Sequence, residues 1–170
     1  MKKFLLIIAA FVISTTASAQ KILYIYNLSS NDVTAHDILT KHATNAYPIF
    51  SDNTSDIVIP SGTGFELSNN TIPTYRFPFL SFADPIPNWY RHTSATTANS
   101  VPAAVATTSQ SSASNNQIFH CIKYTDGYET GVVGTTPLGN PEVVLTDTSA
   151  YYEPYIAGTL IEYTIVILDN

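Results

Sequence analysis

The alternation of apolar and polar side chains predicts a chain of short β-strands. From Ile161 to Ile167 every second side chain is apolar or aromatic, and Glu162 and Thr164 stand between them. Successive side chains of a strand point to opposite faces, so this pattern is typical of a strand with one face in a core. After residue 20 the sequence shows no sustained apolar period of 3.6 residues, which would indicate a helix. Strands are predicted at 21–28, 33–40, 56–60, 64–68, 74–82, 86–91, 117–124, 128–134, 142–146 and 160–168.

The run from Lys21 to Thr40 predicts a first β-hairpin, with turn-forming residues at 27–32. Both alternating sets of side chains at 22–26 are apolar or aromatic, which is typical of a central strand in packed sheets. We therefore expect this strand to pair with 160–168. The side chains that we expect to be almost fully buried are Tyr24, Ile165 and Ile167.

A second hairpin is predicted at 56–68, where Gly62 and Gly64 allow positive φ in the turn. The segment 72–91 is rich in aromatic residues and prolines, and proline removes ladder donors, so we expect an edge strand or a packed loop. A Ser/Thr/Ala-rich loop is predicted at about 92–117. Because long unstructured loops are uncommon in compact domains, we expect Ala103–Thr108 to pair as a strand.

These elements predict an all-β protein with little or no helix. Residues 20–170 are enough for a single domain with its own core. The spacing of the strands predicts one antiparallel β-sandwich of about eight to ten strands, immunoglobulin-like or jelly-roll-like, with the first and last strands central.

The N-terminus has the three parts of a Sec signal peptide. Lys2 and Lys3 precede an apolar run from Phe4 to Ile13, and a small-x-small site ends at Ala19. We expect cleavage before Gln20 and export to the periplasm, the cell surface or the medium, without membrane insertion after cleavage.

Removal of the signal peptide leaves five Lys and Arg against thirteen Asp and Glu, a net charge of −8. This charge argues against nucleic acid and anionic membrane surfaces as partners. Cys121 is the only cysteine and lies in a β-prone run, so we predict a free thiol shielded from solvent.

Metal ligation has little support in the sequence. His120 and Cys121 are adjacent, and adjacent residues of a regular strand point to opposite faces, so they share an ion only if a bulge intervenes. Calcium could bind the oxygen-rich turns at Asp52–Asp56 and Asp126–Gly127, but the favoured interpretation is a set of solvated turns. No cofactor is predicted.

Catalytic motifs are absent from the sequence: it has no G-x-S-x-G elbow, no phosphate loop and no dinucleotide fingerprint. A glycosidase needs two carboxylates brought close in space, and nothing in the sequence marks any two of the thirteen acids. We expect a protein that binds and does not catalyse.

Aromatic residues in polar surroundings are the candidate binding site, since flat rings of this kind suit sugars or protein interfaces. The alternative is that they fill the core of the sandwich. The candidate residues are Tyr75, Phe77, Trp89, Tyr90, Tyr151, Tyr152 and Tyr155.

The order of motifs at 21–68 is an apolar strand, Asn-x-Ser-Ser, Asp-Val-Thr, Ile-Pro-x-Gly and an apolar return. It resembles small secreted β-sandwich proteins of Gram-negative bacteria, and the resemblance implies a sandwich and no particular activity. Two functions stay open. One is a binding or structural module of the cell envelope or surface, with a protein or glycan partner. The other is a secreted polysaccharide hydrolase or carbohydrate-binding protein.

Overall fold

The computed structural model describes residues 20–52, 56–68, 77–81, 83–108 and 117–170. These residues form twelve strands and one short helix, α1 (Ala103–Thr108). The strands are β1 (Gln20–Asn27), β2 (Val33–His42), β3 (Ile49–Asp52), β4 (Ile57–Ile59), β5 (Thr63–Ser68), β6 (Asn88–His92), β7 (Ala98–Pro102), β8 (Gln117–Thr125), β9 (Thr130–Gly134), β10 (Glu142–Val144), β11 (Thr148–Ala157) and β12 (Leu160–Asp169).

The strands form two packed sheets, so the predicted all-β sandwich is confirmed. The first sheet has the order β10-β11-β12-β1-β5. The second has the order β7-β6-β3-β2-β8-β9, and β4 pairs with β2 beyond the end of β3. Neighbouring strands are antiparallel except β1 and β12, which run parallel from the pair Gln20 and Leu160 to the pair Asn27 and Ile167.

The predicted partnership of the terminal strands is confirmed, but both predicted hairpins are wrong. β1 lies in the first sheet and β2 in the second, so the turn between them crosses the sandwich. The predicted turn after β4 does form, with the Thr63 N–H donating to the Pro60 carbonyl at 3.1 Å. It also crosses, because β4 pairs with β2 and β5 pairs with β1. Turn chemistry was predicted correctly, and strand pairing was not.

The core lies between the sheets and is rich in large apolar side chains. Ile165 and Ile167 of β12 are fully buried, as predicted. Tyr24 is only partly buried, so that prediction was wrong: it alternates with the buried Leu23 and Ile25 and lies on the outer face of the first sheet.

The segments with proline or alanine differ most from the prediction. Residues 77–80 form turns and not a strand, and the rest of 74–82, except Ser81, lies outside the described residues. Ala103–Thr108 is a helix and not a strand: it is rich in alanine, follows Pro102, and buries Ala103 and Ala106. Three strands were not predicted, namely β3, β7 and β11.

β11 contains a proline inside the strand. Pro154 lies inside the strand and pairs with Tyr163 of β12. On its other side, β10 reaches only from Ser149 to Tyr151, so Pro154 lies on an open edge that needs no donor. Among the described residues, no helix is long and apolar enough to cross a membrane.

Candidate functional site

The structure separates the predicted aromatic site residues into interior and surface groups. Phe77 and Trp89 are buried, and Tyr152 is partly buried with its ring 5.5 Å from that of Phe119. The Trp89 Nε1–H donates to the Ile86 carbonyl at 3.2 Å, inside the core. These three side chains are core residues, so their assignment to a binding surface is corrected: no partner reaches a buried ring.

The exposed candidates lie on opposite sides of the sandwich. Tyr90 pairs with Ser51 on the outer side of the second sheet. Tyr151 and Tyr155 lie on the outer side of the first sheet. Tyr75 lies outside the described residues. The predicted residues therefore do not form one site.

Tyr151 and Tyr155 share the first sheet's outer face with two tyrosines that sequence reasoning had placed in the core. Strand register sets Tyr151, Val166 and Tyr26 in one row across β11, β12 and β1. We call Tyr24, Tyr26, Tyr151 and Tyr155 the tyrosine face. Neighbouring strands lie about 4.8 Å apart, so Tyr151 and Tyr26 are about 10 Å apart.

The rings of Tyr24 and Tyr26 form a stacked pair on this face. Their centroids lie 5.7 Å apart and their planes differ by 17°. Tyr26 leans over β5 at Gly64, where an added Cβ would lie 3.0 Å from Cδ1 of Tyr26. Gly64 therefore leaves room for the ring, and contact with the backbone beneath holds it against the sheet.

Glutamates lie beside the tyrosines in the same register. Glu142 pairs with Tyr151 on one margin of the sheet, and Glu66 pairs with Tyr24 on the other. Glu162 pairs with Tyr155. Glu153 pairs with Thr164 in the row that contains Tyr24. The face therefore combines four tyrosines with four glutamates, of which Glu142 and Glu66 lie on the two outermost strands.

The five strands of this sheet contain one basic residue, Lys21, and its side chain points inward. It is 6% exposed, and its Nζ donates to the Gln117 carbonyl of the opposite sheet at 2.6 Å. Burial lowers the pKa of Lys21 to about 8. On the outer face, burial followed by the charge of Glu66 raises the pKa of Tyr24, and Tyr26 and Glu162 add smaller effects. The surface is acidic and carries no cation on its own strands.

The positions of Tyr24 and Tyr26 differ from the prediction for a sequence-based reason. The stretch 22–26 is apolar or aromatic at every position, which predicts that both faces are covered. Tyrosine differs from isoleucine because its hydroxyl favours a partly wet position. The alternation of tyrosine with leucine and isoleucine marks one outer and one inner face.

A separate groove of about 480 Å³ opens at the end of β2. Lys41, His42 and His120 provide its charged and titratable side chains, and Ile49, Pro137 and Leu138 provide apolar ones. The loop 43–46 completes the lining. No aspartate or glutamate lines this groove, so the carboxylate pair that a glycosidase needs is not found in it.

His120 reaches the groove because it is the extra residue of a β-bulge. The Cα partners of β2 and β8 are Leu39 with Cys121 and then Thr40 with Phe119, so His120 has no opposite residue. Phe119 belongs to the core, whereas His120 lines the groove. A bulge changes the direction of the side chains around it, and His120 lines the groove here while only 2% exposed.

Hydrogen bonds fix different tautomers in the two imidazoles. The Thr135 hydroxyl donates to the His120 carbonyl at 3.1 Å, so it accepts from His120 Nδ1 at 2.7 Å, and Nε2 is left as an acceptor. The N–H groups of Thr44 and Asn45 donate to His42 Nδ1 at 3.2 and 3.1 Å, so the His42 proton lies on Nε2. Burial, with a smaller effect of Lys41, lowers the pKa of His120 to about 4.

The loop after β9 packs closely on β8 and forms one wall of the groove. Two glycines make this approach possible: an added Cβ at Gly134 would lie 2.6 Å from Cα of Cys121, and one at Gly139 would lie 2.8 Å from its Cβ. The loop covers Cys121, which is free and 1% exposed, as predicted. Burial is the main cause that raises the pKa of this thiol to about 11.

A third group of titratable side chains surrounds Asp52 at the end of β3. Asp52 is 4% exposed, and its Oδ2 accepts from the Ile38 N–H at 2.9 Å. Burial raises the pKa of Asp52 to about 7; the Ile38 N–H opposes this rise, and Asp37 and Asp56 add to it. Between the end of β3 and the start of β4, the Asp52 carboxyl group therefore accepts from β2 a hydrogen bond that a backbone carbonyl accepts in a regular sheet.

The turns considered for calcium differ in what the structure shows. Residues 53–55 lie outside the described residues. Asp126 Oδ1 accepts from the N–H groups of Tyr128 and Glu129, and Oδ2 accepts from the Thr148 hydroxyl. Burial raises the pKa of Asp126, but these hydrogen bonds outweigh it and the net shift is downward. This carboxylate caps a turn. Within the described residues, no three His, Cys, Asp or Glu side chains are placed to hold a metal ion.

The tyrosine face is the arrangement best suited to binding a large partner, because it joins exposed aromatic side chains to one sign of charge. A scan against protein-family models and a search of curated proteins gave no match to this chain.

Proposed function

We propose that the protein is an exported, non-catalytic binding module of the bacterial cell envelope or surface. Its tyrosine face docks a protein that carries a basic surface, as a subunit of a larger assembly would. The observation that supports this proposal is the combination of four tyrosines with four glutamates on a sheet face whose strands place no cation there.

Tyrosine suits the centre of such an interface. It offers a large contact area with few rotatable bonds, and its hydroxyl can bond to the partner when water leaves. Tyr26, Tyr151 and Tyr155 are 38%, 43% and 58% exposed, so much of their surface is available for burial.

The glutamates define the charge of the partner. Glu66 and Glu142 lie on the two outermost strands and would form an acidic rim around the aromatic centre. Complementary charge at a rim raises the association rate and makes it depend on salt. Lysine and arginine side chains on the partner match this rim, whereas a nucleic acid or an anionic lipid surface would be repelled.

Site-specific crosslinking tests the docking. A photoreactive amino acid at position 151, introduced in the native cell, should give a protein adduct, whereas the same group at position 128 should not. Tyr128 is 81% exposed and lies in the turn between β8 and β9, outside the tyrosine face. With the crosslinked partner purified, Tyr151→Ala should weaken binding by about tenfold or more, as hot-spot aromatic residues do, and Tyr128→Ala should leave it unchanged.

Equal adducts at positions 151 and 128 would contradict the docking proposal. A second result would favour carbohydrate binding over protein docking. In that case the protein would be retarded in gels that contain a neutral polysaccharide, and Tyr151→Ala would not be retarded. Export is tested separately: mass spectrometry of the protein from its native envelope should show Gln20 as the first residue.

A further inference from the structure

The groove at the end of β2 combines three polar groups with different chemistry. Lys41 contributes an ammonium group, His42 has an Nε2–H donor, and His120 has an Nε2 acceptor. The one ion pair among the described residues joins His36 and Asp56, so Lys41 has no carboxylate partner among them. None of these groups belongs to the tyrosine face.

We propose that this groove binds a small organic anion that carries a hydroxyl group near its carboxylate, as sugar acids do. The carboxylate accepts from the Lys41 ammonium. The neighbouring hydroxyl donates to His120 Nε2. This site goes beyond the docking function, because it lies on the second sheet and shares no residue with the tyrosine face.

The tautomers favour an organic ligand over a metal ion. Two backbone N–H groups point at His42 Nδ1, which keeps the ring proton on Nε2 and leaves no lone pair there for a metal. His120 differs, because its Nδ1 proton is used by Thr135 and its Nε2 lone pair is left. The Lys41 ammonium and the His120 acceptor together match a ligand that has both a carboxylate and a hydroxyl donor.

The charge of Lys41 favours an anion over a neutral sugar. No acidic side chain lines the groove, although the chain after residue 19 carries a net charge of −8. The low pKa of His120, about 4, keeps this ring neutral at physiological pH, so its acceptor role is preserved beside the ammonium.

The apolar wall fits the carbon skeleton of such a ligand. Ile49 lies on one side of the groove, and the loop after β9 brings Pro137 and Leu138 to it. Binding sites for small molecules commonly have volumes of about 300–1,000 Å³ and a few polar groups among apolar ones. The groove, at about 480 Å³, lies within this range.

The experiment is a titration of protein labelled with ¹⁵N at its histidines, followed by NMR. D-glucuronate is the probe, D-glucose lacks the charge, and acetate lacks the hydroxyl groups. Glucuronate should shift the ring resonances of His42 and His120 in a saturable way, and both matched compounds should bind at least about tenfold more weakly, as expected for loss of a charge-assisted hydrogen bond or of a buried partner.

Lys41→Met should weaken glucuronate binding by about tenfold or more and leave the response to glucose unchanged. Lys123→Met is the matched control, because Lys123 is an exposed lysine of β8 that does not line the groove. Equal binding of glucuronate and glucose, equal effects of the two lysine variants, or the absence of a saturable shift would each overturn the proposal. The comparison of ligands on the unmodified protein stands even if a variant does not fold.

Discussion

Replacing Asp52 by asparagine should make the protein more stable, by an amount that grows as pH rises from about 4 to about 7 and stays constant above that. The pKa of Asp52 is about 7 in the folded protein against an ordinary value of 3.8. Between these values the folded state holds a proton that the unfolded state has lost. The contribution of Asp52 to stability is therefore greatest below about pH 4 and is lost as pH rises to about 7. Asparagine keeps the oxygen that accepts from Ile38 and has no proton to lose.

The size of the effect follows from the shift. Each pKa unit corresponds to about 1.4 kcal/mol, so the free energy of unfolding of the variant should gain up to about 3 kcal/mol over the wild type between about pH 5 and pH 8. Relaxation around the carboxylate reduces this figure, and a gain of about 1–3 kcal/mol is the expected result.

His120 has the opposite effect and would hide that of Asp52 in the wild type. Its pKa is about 4 against an ordinary 6.5, so the unfolded state holds the extra proton in this range and stability rises with pH. The two slopes oppose each other between about pH 4 and pH 6.5. The wild type should show a nearly flat profile there, while Asp52→Asn should show the rise caused by His120.

Urea unfolding followed by fluorescence measures both curves, since Trp89 is the only tryptophan and is fully buried. Asp147→Asn is the control, because Asp147 is exposed. A difference between Asp52→Asn and wild type that does not change with pH would refute the reasoning, as would an equal gain in the control.

Three further predictions concern the core and the thiol. Ile165→Ala should lower the free energy of unfolding by about 2–5 kcal/mol, because it leaves a cavity in the centre of β12, whereas Leu168→Ala, at a side chain that is 37% exposed, should cost far less in the same urea titration. Trp89→Ala should unfold or strongly destabilise the protein, as circular dichroism would show. A folded variant with impaired binding would contradict the assignment of this ring to the core. Cys121 should react slowly with a thiol reagent in buffer and rapidly in denaturant, and fast labelling of the native protein would contradict its burial.

The sequence predicted the class of the fold and its most apolar strands because alternation is a local property. In the C-terminal strand four alternate side chains predict the inner face, and the structure places all four of them inward. They are Ile161, Tyr163, Ile165 and Ile167. Turn residues after Asn27 and Pro60 were also recognised correctly. What a local pattern does not contain is the partner of the strand that follows. A turn of the same composition serves a hairpin or a crossing between sheets, so both hairpins were predicted where crossings occur.

The candidate site was only half predictable for a related reason. The position of His120 depends on a bulge, which shifts the alternation of β8 between Phe119 and Ile122, and no turn residue marks it. The tyrosine face depends on strand register: Tyr26 and Tyr151 are far apart in sequence, and β12 brings them into one row.

The parallel contact between β1 and β12 sets the order in which the chain can fold. β1 pairs with a strand that follows 140 positions later, from Gln20 with Leu160 onwards. Until β12 arrives, β1 can pair only through its other edge, with β5. Contacts between distant positions slow folding, because loop closure precedes the gain from pairing. Because β12 lies between β11 and β1, the first sheet is complete only when β12 has paired with both of them.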